Sequence, residues 1–235
     1  MTKVDSQRVH IVRLMSPLVE KIRQLDERAT HFVQHIELGI FETLIAPGGA
    51  LFGWEGTVGV IMPILYYLYG RQGLYYHICT TTFAQVISRF MKQTIRRARP
   101  TVPDPTPRRF FATLNKHLLE TVHDPECKDG ASFPSGDTMS GGALGGMLCV
   151  ITNSWWPLFV PVWVGFGRQY YFCHWFLDTL FGGLNGVMAA LIMNRVFGSY
   201  KNIQERHVLA SIVLFLLAMK TSTIITNQLH ERWQK

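Results

Sequence analysis

The sequence predicts an all-α, polytopic membrane bundle of about six transmembrane helices, and three observations carry that expectation. The chain of 235 residues is 48% hydrophobic and only 17% charged, against about 25% charged in ordinary soluble domains. Its apolar residues are gathered rather than spread: mean hydropathy is only +0.12, yet six segments approach the about 20 apolar residues needed to cross a bilayer. A single long polar connection separates them into two groups. Such gathering excludes a disordered chain.

Residues 1–52 are expected to form an amphipathic interfacial region and residues 53–235 a transmembrane domain. The opening MTKVDSQRVH has no apolar core and no small-residue cleavage site, so a removable signal peptide is not expected. Val9, Val12, Met15, Val19, Ile22 and Leu25 recur at helical spacing among Arg8, Arg13, Lys21, Arg23 and Arg28, the pattern of a helix lying in the membrane interface. His35 to Leu51 contains Glu37 and Glu42 and is interrupted by Pro47, Gly48 and Gly49. It reads as surface-lying or re-entrant, with a seventh span as the alternative. The expected spans run from Gly53 to Tyr69, Leu74 to Ile95, Gly136 to Thr152, Trp155 to Phe172, Trp175 to Phe197 and Val208 to Thr226. In the third, the run Gly141 to Gly146 places small residues where two helices can approach closely; a flexible glycine loop is the other reading. The polar connection from Arg96 to Phe133 carries Pro100, Pro103, Pro105 and Pro107.

The net charge of +7, on so apolar a chain, points to anionic membranes or phosphorylated substrates rather than to nucleic acid. Cys79, Cys127, Cys149 and Cys173 form no CxxC pair, so neither a disulfide framework nor a zinc site is indicated.

Three clusters of chemically capable residues abut span ends. The first holds Lys92 and, seven positions on, Arg99 before Pro100. Two helical turns would bring both cations to one face, and Pro100 should bend the chain at Arg99; alone, the run also reads as cations snorkelling at a boundary. The second, Ser132 to Thr138, has the form of a capped helix start, where backbone N–H groups suit an anion; Ser135 adds a hydroxyl and Gly136 allows close approach. Ordinary capping explains the same residues. The third contains Arg168, His174 and Asp178. His174 and Asp178, four apart on a helix, would let the carboxylate fix the imidazole tautomer and leave the other nitrogen as a nucleophile; a purely structural pair is the alternative. Together the clusters amount to a phosphoryl-transfer site that needs no metal: cations for the equatorial oxygens and an in-line nucleophile.

These residues resemble the type 2 phosphatidic acid phosphatase, or lipid phosphate phosphatase, superfamily, whose motifs are KxxxxxxRP, PSGH and SRxxxxxHxxxD. Here they read Lys92 to Arg99-Pro100, Pro134-Ser135-Gly136-Asp137, and Gly167-Arg168 to His174 to Asp178, with every spacing kept. The resemblance covers roughly Leu74 to Phe197. It implies a helical core shared with the haloperoxidases, no metal or other cofactor, and a lipid phosphate in the bilayer as substrate. It also implies attack on phosphorus by His174 to give a phosphohistidine, orientation by Asp178, and phosphate binding by Lys92, Arg99, Ser135, Gly136 and Arg168.

Two positions depart from the family pattern. Gly167 replaces a serine, and Asp137 replaces the histidine that protonates the leaving oxygen. An aspartate is a poor proton donor at neutral pH, which tilts the expected substrate toward isoprenoid or dolichyl-type diphosphates, whose leaving phosphate needs little protonation. Asp137 could instead be the base that activates water. A lipid phosphotransferase, a catalytically impaired scaffold and a soluble haloperoxidase relative are the competing readings. With six spans the more basic loops share one side, which argues for a cytosolic site; the endoplasmic reticulum is the expected membrane. The lipid itself is not encoded legibly: Tyr170, Tyr171, Phe172 and Trp175 either line its pocket or pack helices.

Overall fold

The computed structural model describes residues 3–101 and 131–233, all of it helix and connection with no strand among the described residues. The fold is therefore all-α. Most of the connection between the first two and the later expected spans, with Pro103, Pro105, Pro107 and Cys127, lies outside the described residues.

Helix α1 (Lys3–Gln34) covers the expected interfacial helix. A 3-10 turn at Gly39–Phe41 leads into α2 (Glu42–Ala50). At nine residues and about 1.5 Å each, α2 is far too short for a bilayer core of about 30 Å. It packs instead on a later helix, α6 (Phe159–Tyr170), through the Tyr170 hydroxyl donating to buried Glu42 at 2.7 Å and the Trp163 indole donating to the Leu44 carbonyl at 2.7 Å. The short α3 (Trp54–Gly56) continues through a π-helical turn, Thr57–Ile61, into α4 (Met62–Ile95). The first two expected spans thus run on from one another, broken at Gly70, where φ is 65° and ψ −163°, a conformation that only glycine adopts readily.

The remaining helices are α5 (Gly136–Thr152), α6 (Phe159–Tyr170), α7 (Phe176–Phe197) and α8 (Glu205–Trp233). The centre of the bundle is the α5–α7 pair, with α4 and α6 packed against both and α8 on the outer side of α4. Of the described helices only α7 is long and apolar enough to cross a membrane by length and composition.

The glycine run of α5 is helix, not loop, and it lets α5 and α7 meet backbone to backbone. A β-carbon on Gly142 would lie 2.2 Å from the Gly183 carbonyl oxygen, and one on Gly186 2.1 Å from that of Met139. Both are well inside van der Waals contact and neither carbonyl can rotate away. We therefore expect Gly186→Ala to destabilise the folded protein by at least about 1–3 kcal/mol, read as a lowered thermal unfolding midpoint in detergent. Gly59, around which no atom lies within 4 Å of the added carbon, should tolerate the same change.

Candidate active site

The site forms where the end of α4, the start of α5, the end of α6 and the start of α7 converge. Helix α4 stops at Ile95, with Arg96 in the left-handed conformation (φ 44°) as its cap. This corrects the expectation that Lys92 and Arg99 share a helical face: Lys92 lies on the last turn, while Arg99 lies four residues past the helix end. The extended strip still brings them to one site. Lys92 Nζ donates to the Ala131 carbonyl at 2.9 Å, and Arg99 Nη1 to the Cys173 carbonyl at 3.3 Å. The Nε–H of Arg99 is buried with no hydrogen-bond acceptor among the described residues, a donor left over for a ligand.

Ser135 caps α5: its Oγ accepts from the Thr138 amide at 3.3 Å and lies 2.9 Å from the Thr138 hydroxyl. Its backbone N–H donates to the Asp178 carbonyl at 2.9 Å, which ties the start of α5 to the first turn of α7. Gly136 and Asp137 open the helix beyond it. A β-carbon at Gly136 would meet nothing closer than Gln85 Oε1 at 3.6 Å, so there the glycine is not required by packing. Asp137 pairs with Arg168, from the last turn of α6, at 3.0 Å from carboxylate oxygen to Nε.

A second correction concerns His174 and Asp178. They are not on one helix: Trp175, extended at φ −77° and ψ 163°, is the N-cap of α7, so His174 precedes the helix and Asp178 is its third residue. As a helix-start residue Asp178 turns back and accepts from the Trp175 amide at 3.0 Å. Its Oδ2 stands 3.7 Å from His174 Nδ1, too far for a direct hydrogen bond. Ser132 closes the gap. Its hydroxyl lies 3.2 Å from Nδ1 and hydrogen-bonds Asp178 Oδ2. A carboxylate only accepts, so Ser132 donates to it and its own lone pair receives the proton of Nδ1. That fixes the tautomer with Nε2 unprotonated, the form a nucleophile requires.

His174 is buried, 3% exposed, and its pKa falls to about 4. Burial is the largest cause; Asp178 opposes it, and the positive charges of Arg168, Arg99 and Lys92 add to it. Cations from the first and third sequence clusters thus act on one neutral imidazole. The aromatic residues near it are packing elements: Tyr170, Tyr171 and Phe172 are buried, and the Trp175 indole donates to the Ala98 carbonyl at 2.8 Å. Among the described residues no group of three or more His, Cys, Asp or Glu is arranged to hold a metal ion.

Four contributors escaped the sequence reading: Ser132, Arg97, Asp26 and Thr30. Arg97 donates to Asp178 Oδ1 at 2.8 Å and also pairs with Asp26 of α1. Ser132 and Arg97 sit inside the first two clusters, but nothing in their spacing marks them out; Asp26 and Thr30 lie far upstream with no motif around them.

The structure thus sets a buried neutral histidine beside lysine and arginine side chains and a capped helix start, within an all-helical bundle. The chain matches the model of the PAP2 superfamily over residues 73–202 and belongs to that family, whose members are phosphatases and phosphoesterases. Neither the curated proteins nor the solved structures compared with it match the chain.

The imidazole environment has a measurable signature. In a histidine NMR titration the ring of residue 174 should stay neutral from pH 7 to pH 5, and Asp178→Asn, which removes the one group opposing the shift, should lower its pKa further. Unfolded, the ring protonates near pH 6.5, so the folded form binds fewer protons below that value. The stability it contributes is complete above pH 6.5 and is lost as pH falls toward 4.

Proposed function

We propose that the protein is an integral-membrane lipid phosphatase that hydrolyses a lipid phosphate or diphosphate through a phosphohistidine at His174. The observation that carries this reading is the neutral, tautomer-fixed imidazole with Lys92, Arg99 and Arg168 around it. Nε2 donates its lone pair to phosphorus as the bond to the leaving oxygen breaks. Lys92, Arg99, Arg168 and the amides at the start of α5 neutralise the phosphoryl oxygens. Asp178, through Ser132, stabilises the positive charge that develops on the ring. Water then attacks the phosphohistidine, inorganic phosphate departs and the imidazole returns to its neutral form. The charge compensation comes from side chains and amides, so the reaction is proposed to be metal-independent.

The surface supports a membrane setting. Leu180, Phe181, Leu184, Met188, Leu191 and Ile192 are exposed along α7, and Leu209, Val213, Leu214, Leu216 and Leu217 along α8, apolar faces far longer than water-exposed proteins carry. In this reading the six apolar segments are embedded in the bilayer, and α6, at twelve residues, does not span its core of about 30 Å as helix alone. An apolar cavity of about 320 Å³ between α6 and α7 is lined by Pro161, Phe176, Leu180 and Leu184 with Gln169 and Thr179, a lining of the kind that takes up an apolar chain.

Asp137 supports the tilt toward diphosphates. Its carboxylate is engaged with Arg168, where the family pattern has a histidine able to give the leaving oxygen a proton. A phosphate leaving group needs that proton far less than an alkoxide does.

The decisive measurement is phosphate release from phosphatidate, a sphingoid phosphate and polyprenyl diphosphates, with chelator present. His174→Ala should reduce turnover by at least about 10³-fold and abolish an acid-labile phosphoenzyme; full activity in that variant would refute the reading. Asp137→His should raise turnover of the phosphomonoesters by about 10²-fold and leave the diphosphates nearly unchanged. Equal effects on both classes would remove the preference for diphosphates.

A further inference from the structure

Helix α1 is seated the wrong way round for an amphipathic helix packed on a protein core. Its apolar residues Leu18, Val19, Ile22, Leu25 and Phe32 are 44–72% exposed, whereas Asp26, Thr30 and Gln34 are buried to 2% or less. An ordinary surface helix buries its apolar stripe; here the polar side faces the bundle, and what it meets is the catalytic helix.

The contacts are specific. The amide of Leu177 donates to Asp26 Oδ1 at 2.7 Å, and that of Phe176 to Thr30 Oγ1 at 2.8 Å. The Thr30 hydroxyl spends its own proton on the Asp26 carbonyl at 2.8 Å, which leaves a lone pair for Phe176. These are the first amides of α7, which a helix cannot satisfy internally, and another helix caps them. The second carboxylate oxygen of Asp26 pairs with Arg97, whose other nitrogen donates to Asp178 Oδ1 at 2.8 Å. The guanidinium also lies over the Trp175 ring, 5.0 Å from its centroid. Arg97 is therefore held between two buried carboxylates, one on each helix.

We propose that Asp26 is a positioning residue for the phosphoryl-transfer step. By holding Arg97 and the first turn of α7, it sets where Asp178 stands, and through Ser132 it sets the orientation of His174. The inference rests on the reading of His174 as nucleophile and extends the working site to α1, outside the matched residues 73–202. It assigns no contact of Asp26 with the substrate. Its loss should therefore be felt in the chemical step and not in substrate binding.

The test uses the purified full chain in detergent micelles, with phosphatidate and farnesyl diphosphate as probes and His174→Ala in parallel. Asp26→Asn keeps an oxygen for the Leu177 amide but removes the charge that Arg97 needs. It should lower kcat between about 10- and 100-fold with KM within about twofold. In an Arg97→Met background the same change should cost no more than about twofold, because the path is already cut. Hydrogen exchange at residues 176 and 177 supplies a readout independent of turnover. Asp26→Ala should speed it, whereas Asp26→Asn should leave it near wild type and so show that the helix is still seated. A kcat for Asp26→Asn within twofold of wild type would reduce Asp26 to a helix cap and overturn the proposal. So would losses that multiply with those of Arg97→Met, or unchanged exchange in Asp26→Ala. Failure of the nucleophile reading looks different: turnover would then survive His174→Ala, whatever Asp26 does.

Discussion

The carboxyl group of Asp178 is the point on which the rest of the site hangs. It is fully buried, and its two oxygens accept from Arg97, from the Ser132 hydroxyl and from the Trp175 amide, while its backbone carbonyl accepts from Ser135. Those donors come from the strip after α4, the segment before α5 and the turn before α7. One residue thus joins three stretches of chain that lie up to 81 positions apart. A buried charge is tolerable only when its hydrogen-bonding capacity is filled. The same demand that saturates Asp178 therefore assembles the site around His174.

Backbone packing makes that convergence possible. Ser135 can reach the Asp178 carbonyl because α5 and α7 touch through Gly142, Gly182, Gly183 and Gly186; a β-carbon on Gly182 would lie 2.5 Å from the Ser135 carbonyl oxygen. Van der Waals contact between helices without side chains in the way is the form of association that does not depend on water, as suits an apolar bundle. The glycines and the Ser135 cap belong to one piece of geometry: the closeness of the two helices fixes the separation of Ser135 from Asp178.

Much of this was legible in the sequence, and the part that was not has physical reasons. The all-helical character followed from gathered apolar residues, and the structure brings the three clusters that spacing marked out, with Lys92, Arg99, Ser135, Asp137, Arg168, His174 and Asp178, to neighbouring helix ends. The end of the apolar run at Ile95 coincides with the end of α4, but the spacing of Lys92 and Arg99 suggested helix as far as Arg99; the left-handed cap at Arg96 is a tertiary choice. A spacing of four suggested a shared helix for His174 and Asp178, but Trp175 takes an extended conformation, and the carboxylate reaches the ring through Ser132 instead. Asp26 was hidden most completely. The apolar stripe of α1 drew attention to the opposite face, and the partner that gives Asp26 meaning is 71 residues away.

The orientation of α1 also decides how much of the chain the structure around His174 requires. A fragment cut to the boundaries of the family match would keep all three signature motifs intact. It would nevertheless strip both acceptors from the leading amides of α7 and leave Arg97 with a single anionic neighbour. The contacts that cap the start of α7 therefore extend beyond the family match, to residues 26 and 30.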